Sequence, residues 1–160
     1  MKKVILVMSI LASTILPVSA TLLDDATNFI ANEETFSPTV YTCPAGKRTI
    51  GYGCTDAKVL AKGRISEKEA RTILRARVEK ELAWVTSLLP YLTNGQKIAV
   101  TSLVFNIGRT RFIKSQAYQR LKERKLLRAM HEISEFRLVK GKICQGLVDR
   151  RKRELSLFAC

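Results

Sequence analysis

The sequence predicts an α+β fold, with a small β-hairpin region near the N-terminus followed by a mostly helical lobe. Two β-prone segments, 39–42 and 48–50, flank the turn-forming sequence 43–46. Further along the chain, residues 66–89 carry an apolar stripe at helical spacing, and residues 98–107 are apolar on most faces. A length of 160 residues favours one domain with a substantial core.

The helices have recognisable start and stop signals. An amphipathic helix is predicted over 21–33, and it places Glu34 at its C-terminal end. A capping-box sequence at 66–69 begins a long helix that Pro90 ends. With roughly 23 residues, or about 35 Å, this helix is long enough to bridge two lobes.

Helices dominate the prediction for the second half of the chain. A second capping-box sequence at 93–96 begins a buried helix that Gly108 ends. Further helices are predicted over 115–121, 124–138 and 147–158.

The first 20 residues have the composition of a secretory signal. Two lysines precede an almost wholly apolar stretch over 4–18, and Ala20 ends a small-residue cleavage site. We therefore predict a signal peptide over 1–20, a mature domain over 21–160, and an exported protein that is periplasmic or secreted. The alternative is an uncleaved N-terminal signal-anchor in the membrane.

The charge of the chain predicts an anionic partner. Lys and Arg number 28 against 14 Asp and Glu, which gives a net charge of +14, and cleavage of the signal would lower it to +12. Export favours an anionic cell wall or membrane surface and argues against nucleic acid. A nucleic-acid-binding protein remains an interpretation that rests on charge alone.

The four cysteines, Cys43, Cys54, Cys144 and Cys160, all lie in the predicted mature domain. In an oxidising compartment an even number of cysteines usually indicates disulfides, but the sequence does not select a pairing. With no Cys-x-x-Cys pair and His131 as the only histidine, the sequence predicts no metal site. We interpret His131 as a structural residue.

The segment 34–53 groups residues that are suited to hydrolysis. Eight residues separate Glu34 from Cys43, five separate Cys43 from Thr49, and a Gly-x-Gly turn follows. A general acid must be held near the scissile oxygen, and the end of a packed helix beside a hairpin would hold it there. The alternative is that Glu34, like its neighbour Glu33, is a solvated charge with no catalytic role.

This spacing resembles the catalytic segment of phage-type lysozymes, the endolysins of glycoside hydrolase family 24. The family usually carries Asp at the position of Cys43 and an aromatic residue two positions earlier, where Tyr41 stands. Two further segments, 96–108 and 146–154, resemble the buried helix and the C-terminal arginine-rich helix of the same family. The three segments cover nearly all of the predicted mature domain.

The resemblance implies a two-lobed lysozyme-like fold with the active cleft between the lobes. It implies cleavage of the β-1,4 bond between N-acetylmuramic acid and N-acetylglucosamine in peptidoglycan, with no metal or organic cofactor. Glu34 would be the general acid, Cys43 would replace the Asp, and Thr49 would help to hold the attacking water. Peptidoglycan would be the partner of an enzyme that we expect to be a monomer.

Three further residues are weaker candidates for binding or orienting the substrate. By family position, Arg150 would face inward, pair with Glu34 and orient it. Tyr41 and Asn106 are candidates for contact with sugar.

Cys43 leaves alternatives open, because a thiol is a good base or nucleophile only as its thiolate. One hypothesis is a redox-latent enzyme in which Cys43 is oxidised, for example with Cys54. The other keeps Cys43 reduced while other cysteines pair, for example Cys144 with Cys160. A different class of function is a non-catalytic cationic protein that binds walls or membranes on a lysozyme scaffold. The choice between hydrolysis and transglycosylation also stays open.

Overall fold

The computed structural model describes residues 19–43 and 46–159. Nearly all of the predicted signal, residues 1–18, lies outside these residues, as do 44–45 and Cys160. Within the described ranges, no helix is both long enough and apolar enough to span a bilayer.

The described residues form a mostly helical α+β structure. Its elements, in chain order, are α1 (Ala20–Glu33), β1 (Ser37–Thr42), β2 (Arg48–Gly51), α2 (Ala57–Leu60), α3 (Glu67–Leu88), α4 (Asn94–Ile107), α5 (Arg109–Ile113), α6 (Gln116–Lys122), α7 (Leu126–Ser134), β3 (Leu138–Val139), β4 (Lys142–Ile143) and α8 (Gln145–Ser156).

Strands β1 and β2 form the predicted N-terminal hairpin. They are antiparallel, Tyr41 lies opposite Thr49, and the register shifts between Ser37 and Tyr41. At the tip, the Gly46 N–H donates to the Cys43 carbonyl at 2.8 Å, and the Cys43 N–H donates to the Lys47 carbonyl at 2.9 Å. Gly46 has a φ of +77°, a conformation that glycine adopts readily.

Helix α3 joins two hydrophobic cores. Ser66 caps its first turn by accepting a hydrogen bond from the Glu69 N–H at 3.2 Å. Side chains in its first part, from Ala70 to Leu82, pack in a core shared with α1 and the β1–β2 hairpin. From Val85 onward they pack in a second core with α4 and the later helices. The two lobes that the resemblance implies are therefore present, and α3 spans them.

Helix α4 is the predicted buried helix. Thr93 and Gln96 form a reciprocal capping box: the Gln96 N–H donates to the Thr93 hydroxyl at 3.3 Å, and the Thr93 N–H donates to the Gln96 side chain at 3.2 Å. Gly108, with a φ of +85°, follows the last helical residue. Both predicted ends of the helix are confirmed.

The prediction of one helix over 124–138 was wrong at its C-terminal end. Helix α7 ends at Ser134, and a second hairpin, β3–β4, follows it. Lys140 and Gly141 both have positive φ, and two consecutive residues in this conformation form a tight hairpin turn rather than a helix. The short helices α2 and α5 were also not predicted.

Candidate active site

Glu34 is the residue immediately after α1. Its backbone is extended, with φ −107° and ψ 136°, and its N–H donates to the Ile30 carbonyl at 3.1 Å. Ile30 is fully buried, so the end of α1 is anchored in the first core. The Glu34 side chain retains 24% of its exposure, which leaves it partly accessible from solvent.

The Glu34 carboxylate is paired with a buried arginine of α8. The Arg150 Nη1 atom donates to Glu34 Oε1 at 2.9 Å, across 116 residues of sequence. Arg150 Nη2 lies 3.2 Å from the Ser102 hydroxyl and 3.3 Å from the Ser102 carbonyl oxygen on α4. One guanidinium thus joins α1, α4 and α8 at the position of the candidate acid.

A second carboxylate, that of Glu154, also binds Arg150. Its side chain is only 1% exposed, and Oε1 accepts hydrogen bonds from Arg150 Nε at 3.2 Å, Arg151 Nη2 at 2.8 Å and the Ser102 hydroxyl at 2.6 Å. Burial raises the pKa of Glu154, and the two arginines and Ser102 oppose that rise. Because Arg150 is held by buried partners, it presents its guanidinium to Glu34 with little conformational freedom.

The adjacent carboxylate, Glu33, has a different partner. Arg153, one turn further along α8 than Arg150, donates to both Glu33 oxygens, at 2.6 and 2.8 Å. This hydrogen bonding raises the pKa of Arg153, whose side chain lies largely in solvent. Glu33 and Glu34 are therefore engaged separately, by an outer arginine and by a buried one.

The hairpin carries the other predicted site residues. Thr49 is buried, and its hydroxyl lies 3.2 Å from the Lys47 carbonyl oxygen and 3.5 Å from that of Tyr41. Tyr41 is exposed on the opposite strand, and Cys43 is half-buried at the end of β1. The hydrogen bonds of the Thr49 hydroxyl thus fasten it to the hairpin itself.

Asn106 lies at the exposed end of α4. Its Oδ1 is 3.4 Å from Arg151 Nη2, which connects it weakly to the buried arginine cluster. Burial lowers the pKa of Arg151, although a guanidinium stays protonated.

Arg77 was not among the predicted site residues. From α3 it donates through Nη1 to the Gly53 carbonyl oxygen at 3.1 Å, and its guanidinium carbon lies 4.4 Å from the centre of the Phe105 ring on α4. It also lines an open cavity of about 470 Å³ together with Cys54 and Lys80. Arg77 therefore connects the Gly-x-Gly turn of the hairpin lobe to the buried helix beside Asn106.

Four structural partners in this region were not assigned by sequence reasoning: Arg77, Ser102, Arg151 and Glu154. The signal that could have found Glu154 is its spacing of four and three residues from two arginines on one helix. Arg77 and Ser102 carry no local signal, because their partners are distant in sequence.

The described cysteines form no disulfide with one another. Cys54 and Cys144 have free thiols, so the Cys43–Cys54 pairing is not formed, whereas the Cys144–Cys160 pairing involves Cys160, which lies outside the described residues. Cys54 forms a backbone bridge to Ile50, whereas the backbone partner of Cys43 is Lys47 at the hairpin tip. These two partners, Ile50 and Lys47, are three residues apart in extended chain, which corresponds to about 10 Å. That distance exceeds the roughly 7 Å between Cα atoms that a disulfide can bridge.

The described residues contain no group of three or more His, Cys, Asp or Glu side chains that could hold a metal ion.

Helix α3 joins a hairpin lobe to a helical lobe, and Glu34, held by Arg150, lies where the chain passes from α1 to the hairpin. This arrangement is that of a lysozyme-type fold. The family model described as phage lysozyme matches residues 31–154. The chain belongs to the phage lysozyme family.

Known relatives agree with this assignment. An endolysin from Acyrthosiphon pisum secondary endosymbiont phage 1 is 35% identical over 127 residues, which covers 74% of this chain and 84% of that protein. An endolysin of Bacillus phage PZA is 33% identical over 111 residues and 69% of this chain, but the match spans only 43% of that longer protein. Among solved structures, the muramidase domain of SpmX from Asticaccaulis excentricus has a TM-score of 0.76 at 26% identity, covering 85% of this chain and 95% of that domain.

Proposed function

We propose that this protein is a peptidoglycan hydrolase of the lysozyme type, which cleaves the β-1,4 bond between N-acetylmuramic acid and N-acetylglucosamine. The observation that carries the proposal is the partly exposed Glu34 held by the buried Arg150 at 2.9 Å. Family membership supports a hydrolase rather than a non-catalytic cationic protein.

In the proposed mechanism, Glu34 is the general acid. Arg150 contacts Glu34 through Oε1, and we assign Oε2 to proton transfer. The protonated carboxyl donates its proton to the glycosidic oxygen as the bond from that oxygen to the anomeric carbon breaks. The leaving sugar departs with a hydroxyl group, and Glu34 becomes a carboxylate.

Water completes the proposed reaction from the hairpin side. Its oxygen bonds to the anomeric carbon, and its proton passes to the Cys43 thiolate, while Thr49 helps to hold the water. An inverting glycosidase needs roughly 6.5–9.5 Å between acid and base to accommodate this water. Only the thiolate form of Cys43 would accept this proton. Proton exchange with solvent then restores both groups.

The proposed setting is outside the cytoplasm, with peptidoglycan as the partner of a monomeric enzyme. The excess of 14 positive charges supports attraction to an anionic wall or membrane, which salt weakens. Tyr41 and Asn106, both exposed, are proposed contacts for the sugar chain.

The test compares two neighbouring glutamates. Exported wild-type protein, Glu34→Gln and Glu33→Gln are assayed on purified peptidoglycan, and the products are identified by mass spectrometry. We expect Glu34→Gln to lose activity and Glu33→Gln to keep it, because Glu33 pairs with Arg153 instead.

The products and the variants also separate the rival functions. Hydrolysis leaves a free reducing end, whereas a transglycosylase leaves an anhydro-muramic acid end. Lysis of cells by Glu34→Gln at the wild-type rate would reject the enzymatic proposal and support charge-driven disruption.

A further inference from the structure

The second hairpin, residues 138–143, ends in a two-residue turn. Leu138 pairs with Ile143 and Val139 with Lys142. Between the strands, Lys140 has a φ of +50° and Gly141 a φ of +77°. Two consecutive residues with positive φ produce the tightest common hairpin turn, so the six residues form a narrow tip.

The aliphatic side chains of this hairpin lie in solvent. Leu138 is 46% exposed, Val139 50% and Ile143 67%. Among the described residues, four large apolar side chains are at least 46% exposed, and three of the four are adjacent on this short hairpin. Scattered apolar side chains are ordinary on a protein surface, but a cluster on a narrow tip indicates contact with an apolar phase.

Positive charge surrounds the same tip. Lys140 and Lys142 are exposed between the aliphatic residues, within a chain of net charge +14. The neighbouring Arg137, just before β3, forms an ion pair with Glu135 at 3.2 Å. Aliphatic side chains interleaved with lysines are typical of segments that bind at a membrane interface.

We infer that hairpin 138–143 docks on the surface of a bilayer rich in anionic phospholipid. Leu138, Val139 and Ile143 enter the headgroup region, while Lys140 and Lys142 contact lipid phosphates. A hydrated glycan offers no hydrocarbon phase to receive aliphatic side chains, and a second copy of this strongly cationic chain repels the first. The inference is independent of the proposed hydrolytic function.

The first experiment measures binding of the exported protein to sedimented vesicles. Vesicles of equal parts phosphatidylglycerol and phosphatidylcholine are compared with phosphatidylcholine alone. The triple variant Leu138→Thr/Val139→Thr/Ile143→Thr keeps residues that suit a strand, and we expect it to bind the anionic vesicles about tenfold more weakly. The matched control, Ile113→Gln/Leu127→Gln, replaces exposed aliphatic residues elsewhere and should bind as wild type does.

Charge variants test the electrostatic part of the docking. We expect Lys140→Gln/Lys142→Gln to weaken binding about tenfold at low salt, with the difference shrinking as salt screens the surface. The control Lys58→Gln/Lys114→Gln removes two exposed lysines from other elements and should have a smaller effect.

A second measurement reports whether the hairpin itself enters the bilayer, even if another segment of the chain also binds lipid. Ile143→Trp and Leu127→Trp are each mixed with vesicles that contain brominated phosphatidylglycerol. We expect quenching of the tryptophan introduced by Ile143→Trp and not of that introduced by Leu127→Trp. Equal quenching in the two proteins, or unchanged vesicle binding by the triple variant, would overturn the inference. Loss of peptidoglycan binding or of dimers in that variant, with vesicle binding intact, would overturn it in favour of those partners.

Discussion

The two halves of the candidate site are built in different ways. On the helical side, Arg150 is held by Glu154 and Ser102 in a buried cluster and presented to Glu34. On the hairpin side, the Cys43 N–H donates to the Lys47 carbonyl, and the Thr49 hydroxyl lies within hydrogen-bond distance of the same carbonyl. Glu34 is therefore held through a buried side-chain cluster, whereas Thr49 is held by the backbone of its own hairpin. We expect changes on the helical side to affect stability and activity together, and changes on the hairpin side to affect activity with little loss of stability.

The largest expected effect is that of Glu154→Ala. Removing this carboxylate leaves Arg150 and Arg151 buried near each other without their shared partner. Breaking a buried ion pair in this way typically costs about 3–5 kcal/mol in the free energy of unfolding. Denaturant titration measures it, with Glu132→Ala on α7 as a control outside the cluster. A loss below about 1 kcal/mol would show that the helical half is not held by this carboxylate.

Glu154 also predicts a dependence of stability on pH. Because burial raises its pKa above the ordinary value of 4.5, the native state binds an extra proton between the two values. The contribution of Glu154 to the free energy of unfolding therefore falls as pH rises through that range. Wild type and Glu154→Gln should differ in slope over this range, and parallel curves would contradict the raised pKa.

The next largest effect is expected at Cys43. If the thiolate is the base, Cys43→Ser should lower turnover by about 100- to 1,000-fold, because a hydroxyl is a far weaker base. Cys43→Asp restores the carboxylate usual in the family and should keep activity while abolishing inhibition by thiol-alkylating reagents. Both variants should unfold at the wild-type denaturant concentration. Full activity of Cys43→Ser would remove Cys43 from the mechanism.

Arg150→Ala is expected to lower turnover by about 100-fold, since a misplaced catalytic group commonly costs that much. Arg150→Lys should recover only part of the loss, because lysine lacks the planar fork that contacts Glu34, Glu154 and Ser102 together. Arg153→Ala, which removes the outer arginine, is the matched control. Equal losses of turnover in Arg150→Ala and Arg153→Ala would show that the buried arginine matters no more than the outer one.

The smallest effect is expected at Arg77. Arg77→Met keeps apolar contact with Phe105 but loses the hydrogen bond to Gly53 and the cation–π contact. We expect KM to rise roughly threefold to tenfold with little change in kcat, as for the loss of a contact worth about 1 kcal/mol. Arg75→Met, on the same helix but paired with Asp24, is the control. A fall in kcat of roughly threefold to tenfold, with KM unchanged, would show that Arg77 does not act through substrate binding.

Much of this comparison could be predicted from the sequence. The position of Glu34 followed from the apolar spacing of α1, and the first hairpin followed from its turn residues. The contact between Arg150 and Glu34 spans 116 residues, and only the family resemblance predicted it. The catalytic roles of these residues stay predictions.

The parts that escaped prediction are set by distant contacts or by very short elements. Nothing local indicates that Glu154 is buried, because the same spacing to arginine occurs on solvated helices. The strands of the second hairpin have two residues each, too few to show an alternating pattern. The separation of Cys43 from Cys54 depends on hairpin register, which composition does not reveal.

The two arginine–glutamate pairs between α8 and α1 also have a consequence for the order of events in folding. Arg150 and Arg153 engage the consecutive residues Glu34 and Glu33 across 116 and 120 residues. A nascent chain that does not yet include α8 contains Glu34 but not the helix that holds it. If Glu34 is the acid, activity is expected to begin only in one late step, when α8 docks.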